Sequence, residues 1–181
     1  RVVGSPIYID TYNALGANPI NMNWAEATTA FQQGVVDGQE NPISIFFPLK
    51  IHEYHKYMTD WHYVIDPLLF CVNPDVWKSF PEKDQKMIQE CVDLASKYET
   101  ALARVGLDGE ISLKYLQSIK KVPEITDPYV ALKKAGMEVT ILTPDQIKAF
   151  AEKTKPVAEK WRKELGEELI KAAEEDMAKV K

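Results

Sequence analysis

Apolar and polar positions along the first sixty residues alternate between short helices and short strands. Residues 1–4 read as a strand that runs straight into a helix. Ser5 sits at its N-cap and Pro6 at the first helical position, where a missing N–H costs nothing. Residues 5–15 fit that helix, closed by Gly16, and residues 19–22 fit a short strand. Residues 25–33 fit a second helix closed by Gly34, and residues 35–40 a second buried strand. This βαβ rhythm predicts an α/β fold, with helices covering the faces of a sheet. Residues 48–57 look helical again, ahead of a strand-rich run over 62–72.

One long stripe dominates the middle of the chain. Ser79 and Glu82 make a capping-box pattern, with Ser79 at the cap. Beyond it Met87, Ile88, Cys91, Leu94, Ala95, Tyr98, Leu102 and Val105 recur at helical spacing, which predicts a long core helix. Gly106 and Gly109 break the stripe, and residues 110–121 offer another helix. Residues 123–128 read as a loop, 129–135 as a short helix ended by Gly136, and 137–142 as a strand. Thr143-Pro144-Asp145-Gln146 repeats the capping box before a last helix running towards Lys179, which Pro156 is expected to kink or split. The charges of that helix are mixed in sign and read as a solvated outer face.

A chain of 181 residues, 45% of them hydrophobic, can bury a core as one large domain or two small lobes. A net charge of -5 and a pI near 5.3 argue against a general binder of nucleic acid or anionic membranes. Arg1, Arg104 and Arg162 are the only arginines, so no arginine-rich stripe exists. No stretch approaches the ~18 uninterrupted apolar residues of a spanning helix. A leader with a charged start and an apolar middle is absent, and the chain opens in mid-strand, so the sequence is expected to lack its beginning. Cys71 and Cys91 fall on apolar stretches and read as two buried thiols acting as small hydrophobes. A disulfide in an oxidising compartment is the alternative, and spacing leaves both open.

Catalytic patterns are weak. His52 and His55 are three apart, whereas the zincin motif needs two histidines four apart; a metal pair on one helix face and two ordinary surface histidines both fit. None of the serines sits in a Gly-x-Ser-x-Gly elbow, and Gly106-Leu107-Asp108-Gly109 lacks the Lys-Ser/Thr ending of a phosphate loop. Binding groups stand out instead. The run Gly34-Val35-Val36-Asp37-Gly38-Gln39-Glu40-Asn41-Pro42 ends a helix in a dense polar string. Gly38 allows close backbone approach, while Gln39, Glu40 and Asn41 supply amides and a carboxylate that can orient a small polar ligand. Arg1 offers a planar fork matched to a carboxylate, Asn41 can donate to the same group, and Trp24 is a flat apolar wall. Taken singly, the run also reads as a polar turn and Arg1 as an ordinary surface arginine.

As a set, these residues resemble the solute-binding proteins of the tripartite ATP-independent periplasmic (TRAP) transporters, of the DctP type. Arg1-Val2-Val3 looks like the family strand whose arginine clamps the ligand carboxylate. Leu15-Gly16-Ala17-Asn18-Pro19 resembles the family's turn, and Met22 and Trp24 stand where it has Met and an aromatic pocket residue. The run from Gln32 and Gly34 to Pro42 resembles its most recognisable block, whose asparagine touches the carboxylate. Further on, His55-Lys56-Tyr57, His62 and the strand and helix around Pro144 continue the likeness. Asn21 and Asn23 replace prolines, Ala25 replaces a usual serine cap, Trp61 stands for an asparagine, and residues 105–128 run longer than the family norm.

The resemblance implies a periplasmic-binding-protein-like, class II two-lobe architecture, of which this chain holds the second lobe plus part of the first. Residues 1–66 would be the ligand-binding α/β part of the second lobe, and 67–106 a crossing strand and long helix belonging with the first. Residues 107–181 would return to the second lobe. It implies capture of a small organic acid in the periplasm and delivery to the membrane permease subunits, with no reaction and no cofactor. Arg1, Ser5, Trp24, Gln39 and Asn41 are the expected ligand contacts. The apolar stripe is expected to be covered by a missing N-terminal lobe or a second copy of the chain. Two other classes stay open: a small cytosolic α/β enzyme acting on an organic acid through His62 or Asp66, and a helix-rich interaction module.

Overall fold

A computed structural model describes residues 1–64 and 67–179; the expected role of Asp66 and part of the run over 62–72 therefore lie outside the described residues. The chain divides into two compact units. The first comprises residues 1–40, 59–61 and 141–181, the second residues 41–58 and 62–140.

In the first unit, α1 (Pro6–Ala14) starts with Ser5 at its N-cap and proline in its first turn, as expected, although the Ser5 hydroxyl makes no capping bond. Helix α2 (Trp24–Gln32) is capped by the side chain of Asn23, which accepts from the Ala25 N–H, so the residue that replaces a family proline takes over the capping. It buries Ala27, Ala30 and Phe31. Gly34, at φ +65, ends it: the Val35 N–H reaches back to the Ala30 carbonyl and the Gly34 N–H to that of Phe31. Only a residue without Cβ takes that conformation readily. Helix α7 (Pro144–Leu165) opens on the expected capping box, with Thr143 and Gln146 exchanging side-chain and backbone bonds. It packs against α1, and the Asp10 carboxylate of α1 accepts from Lys160 Nζ at 2.7 Å and Trp161 Nε1 at 2.8 Å. Trp61 stands edge-on to both Tyr12 and Phe150.

The expected kink at Pro156 does not split the helix. Pro156 lies inside α7 at an exposed position. The break comes at Gly166, before α8 (Glu167–Lys179).

In the second unit, α4 (Glu82–Arg104) carries the predicted stripe. Its C-terminal half is covered: Ala101 and Val105 pack with the fully buried Leu116 of α5 (Ile111–Ser118), and Tyr98, Leu102, Leu113, Tyr115 and Ile119 complete the cluster. The other half is bare, with Leu94 62% exposed and Met87 and Cys91 also open. Gly106, at φ +79, makes the turn between α4 and α5 possible, since a Cβ there would lie 2.5 Å from the Thr126 carbonyl oxygen. Helix α6 (Pro128–Lys134) is capped by Asp127 and buries Leu132.

Several expectations are corrected. The stretch 35–40 forms no strand: Val35 is 60% exposed, and the chain bends through residues 35–37 directly after the glycine cap. Residues 48–56 form no α-helix: turns surround a 3-10 turn at Ile51–Glu53. Strand β1 comes earlier than predicted, at Tyr57–Asp60, and the described part of 62–72 contains none. Ser79 caps nothing; it ends α3 (Pro74–Ser79), donating to the Val76 carbonyl, and Pro81 takes the N-cap position of α4. Cys71 and Cys91 are both exposed thiols, Cys91 because α4 is covered only towards its C-terminal end. Strand β2 (Glu138–Ile141) falls where expected and runs parallel to β1. The Glu138 N–H donates to the Lys56 carbonyl and, four residues on in both segments, Leu142 N–H to that of Asp60.

Candidate functional site

The first three residues run beside two other segments of the first unit. Val2 bridges Asn21 in parallel, with the Val2 N–H donating to the Ile20 carbonyl, and Val2 itself is buried. On the other side the Arg1 backbone nitrogen donates to the Gly38 carbonyl at 2.8 Å, and the Val3 N–H to Glu40 Oε1 at 3.2 Å. Three short segments, 1–3, 20–22 and 38–40, thus lie together without a continuous ladder. Gly38 takes part through its carbonyl alone: a Cβ there would meet nothing within 4 Å, so the close approach expected of this glycine is not what the position requires.

The Arg1 side chain is held at two points. Nε donates to the Met22 carbonyl at 3.3 Å, and the guanidinium carbon sits 5.3 Å from the centre of the Trp24 ring. Trp24 is braced edge-on by the buried Phe31, 6.2 Å away. Nη1 is buried and makes no hydrogen bond to any described residue. A charged donor withdrawn from water without an acceptor is costly, which makes Nη1 the group of this site that is open to an acceptor.

Of the expected site residues, Arg1 and Trp24 are brought into contact. Gln39 is half-buried in the segment beside Arg1, and Ser5 is half-buried at the head of α1, three residues from the bridged Val2. Asn41 is half-buried and belongs to the second unit. The Met22 and Gly38 carbonyls, which fix the arginine, were not among the expected contacts. Every residue carries such a carbonyl, so no side-chain signal marks them. His52 is occupied with its own loop, ring against ring with Phe47 and Nδ1 3.3 Å from the Phe46 carbonyl oxygen. Among the described residues no group of three or more His, Cys, Asp or Glu side chains is placed to hold a metal.

An arginine fork over an aromatic ring, beside the bridged segments 1–3 and 20–22, makes this the candidate site for a small anion. The profile of the bacterial extracellular solute-binding proteins, family 7 (DctP), matches residues 1–122, and the chain belongs to that family. It is 29% identical, over 99% of its length, to the ectoine-binding periplasmic protein TeaA of Halomonas elongata, of which it covers 49%. It is 28% identical, over 96% of its length, to the C4-dicarboxylate-binding periplasmic protein DctP of Vibrio cholerae, of which it covers 47%. Among solved structures, a TRAP periplasmic solute-binding protein from Ralstonia eutropha H16 with bound (S)-2-acetolactate superposes with a TM-score of 0.85 at 42% identity, over 99% of this chain and 53% of that one. One from Desulfovibrio salexigens with bound orotic acid gives 0.70 at 28% identity, over 99% and 54%. The fold is that of the TRAP periplasmic binding proteins, and the chain spans about half the length of these relatives.

Proposed function

We propose that this chain is part of a periplasmic solute-binding component of a TRAP transporter, which captures a small organic acid by its carboxylate and hands it to the membrane permease subunits. The observation that carries the reading is the buried, unbonded Nη1 of Arg1, fixed through Nε and stacked on Trp24. A carboxylate placed there supplies the missing acceptor in a two-point pair, with Asn41, Gln39 and Ser5 as further contacts. The bound acids of the Ralstonia and Desulfovibrio relatives support this chemistry. In this reading the chain's part is binding: the donors and acceptors around Arg1 orient a ligand.

In this reading residues 1–66 and 107–181 belong to the second lobe, and 67–106 go with a first lobe that supplies the other wall of the pocket. The relatives' roughly twofold greater length supports such a partner, as does the bare half of α4 with exposed Leu68, Leu69 and Phe70 in the same unit. Closure of two lobes on the ligand then signals loading to the permease. Arg1→Lys in the complete polypeptide is the test. Lysine cannot present the fork, and acid affinity should fall by about 2–5 kcal/mol in titration calorimetry. Unchanged affinity would remove Arg1 from the site.

A further inference from the structure

Two asparagines flank the residue that anchors the arginine, and both stand where the family has prolines. Asn23 commits its side-chain oxygen to the Ala25 N–H and caps α2. Asn21 is exposed, and its amide makes no hydrogen bond to any described residue. Its place is nevertheless fixed. Its backbone is bridged to Val2, and the amide lies over Gly4, where a Cβ would come within 2.8 Å of both Nδ2 and Oδ1. The hydroxyl of Ser5, the next residue, likewise caps nothing. Met22, next to Asn21, holds Arg1 Nε through its carbonyl, and Trp24 follows two residues on. The Asn21 amide thus reaches from the segment that leads to Trp24 onto the one that begins with Arg1.

We infer that Asn21 is a specificity-determining residue of the acid site, pairing with a hydroxyl or oxo group that the ligand carries close to its carboxylate. This rests on the proposed acid-binding role of Arg1 and narrows its substrate class to hydroxy and oxo acids. Arg1 precedes Val2, the bridged partner of Asn21, and bridged backbones lie about 4.8 Å apart, so the residues bearing fork and amide are neighbours across that gap. An amide suits both kinds of group: Oδ1 accepts from a hydroxyl, and Nδ2 donates to a hydroxyl or a carbonyl. The side chain of a proline at this position offers neither. A methylene in the same place leaves the amide unpaired once water is excluded, and that loss falls on the acid lacking the oxygen.

Titration calorimetry on the complete polypeptide, with acids paired by carbon skeleton, tests this: propionate against lactate and butyrate against 3-hydroxybutyrate. In at least one pair the hydroxy acid should bind about fivefold more tightly, or better. Asn21→Leu, close in shape but without donor or acceptor, should bring that ratio near one by weakening the hydroxy acid and leaving the simple acid unchanged. Gly4→Ala tests the placement of the amide: its Cβ displaces the Asn21 side chain without removing it, and the ratio should fall likewise. A ratio near one for both pairs in the parent, a ratio unchanged in either variant, or a loss that falls equally on both acids would overturn the inference and leave the proposed function standing. If no acid of either kind binds, although circular dichroism shows a folded protein, both fall.

Discussion

The guanidinium of Arg1 is pinned at Nε by a backbone carbonyl and left open at Nη1, so its orientation is set before any ligand arrives. Such preorganisation reduces the ordering cost of binding. Trp24 does two jobs at once: it opens α2 and provides the face on which Arg1 rests. Its half-buried indole should therefore report the ligand. Acid titration is expected to change the tryptophan fluorescence of the protein, and Trp24→Ala should abolish the change and weaken binding by about 1–2 kcal/mol. A surviving signal would assign the response to Trp61, Trp77 or Trp161. Arg1 and Trp24 were legible in the sequence because their side-chain chemistry is distinctive. The carbonyls of Met22 and Gly38 that position the arginine were not, because a backbone acceptor has no residue-type signature.

Elements were legible wherever a periodic stripe met a cap or a glycine break. Helices α4, α5 and α6 and the box at Thr143 all satisfy that condition, and each lies where the pattern put it. Misreadings came where one signal stood alone. The apolar pair Val35-Val36 suggested a strand, but the glycine cap before it turns the chain and leaves Val35 in solvent. The box at Ser79 competed with a stronger start six residues earlier, where the Asn73 side chain accepts from both Asp75 and Val76. Helices α1 and α7 are tied by Asp10, whose carboxylate is held below its ordinary value of 3.8 by hydrogen bonds from Lys160 and Trp161. A depressed carboxylate stabilises the fold above its unfolded value and loses that contribution as pH falls through the lowered one. Thermal melts from neutral pH down to about 3 should show Asp10→Asn less stable than the parent at neutral pH, with the difference closing below 3.8. A constant difference across the range would place the effect elsewhere.

At the scale of the molecule, the division into two units was only partly visible, because it cuts through β1 and β2 and no linker composition marks it. What the stripe on α4 did convey was its length. Cover is a tertiary property, and here it ends near Tyr98. The uncovered part has a calorimetric consequence. Leu68, Leu69, Phe70, Met87 and Leu94 are already hydrated in the folded chain, so unfolding exposes little of them anew. Heat capacity of unfolding follows newly exposed apolar surface and is normally about 12–15 cal/mol/K per residue. Differential scanning calorimetry on these 181 residues alone should fall below that range, and the complete polypeptide should return to it. The chain alone would then have a flatter stability curve, changing less with temperature on either side of its maximum than its size suggests.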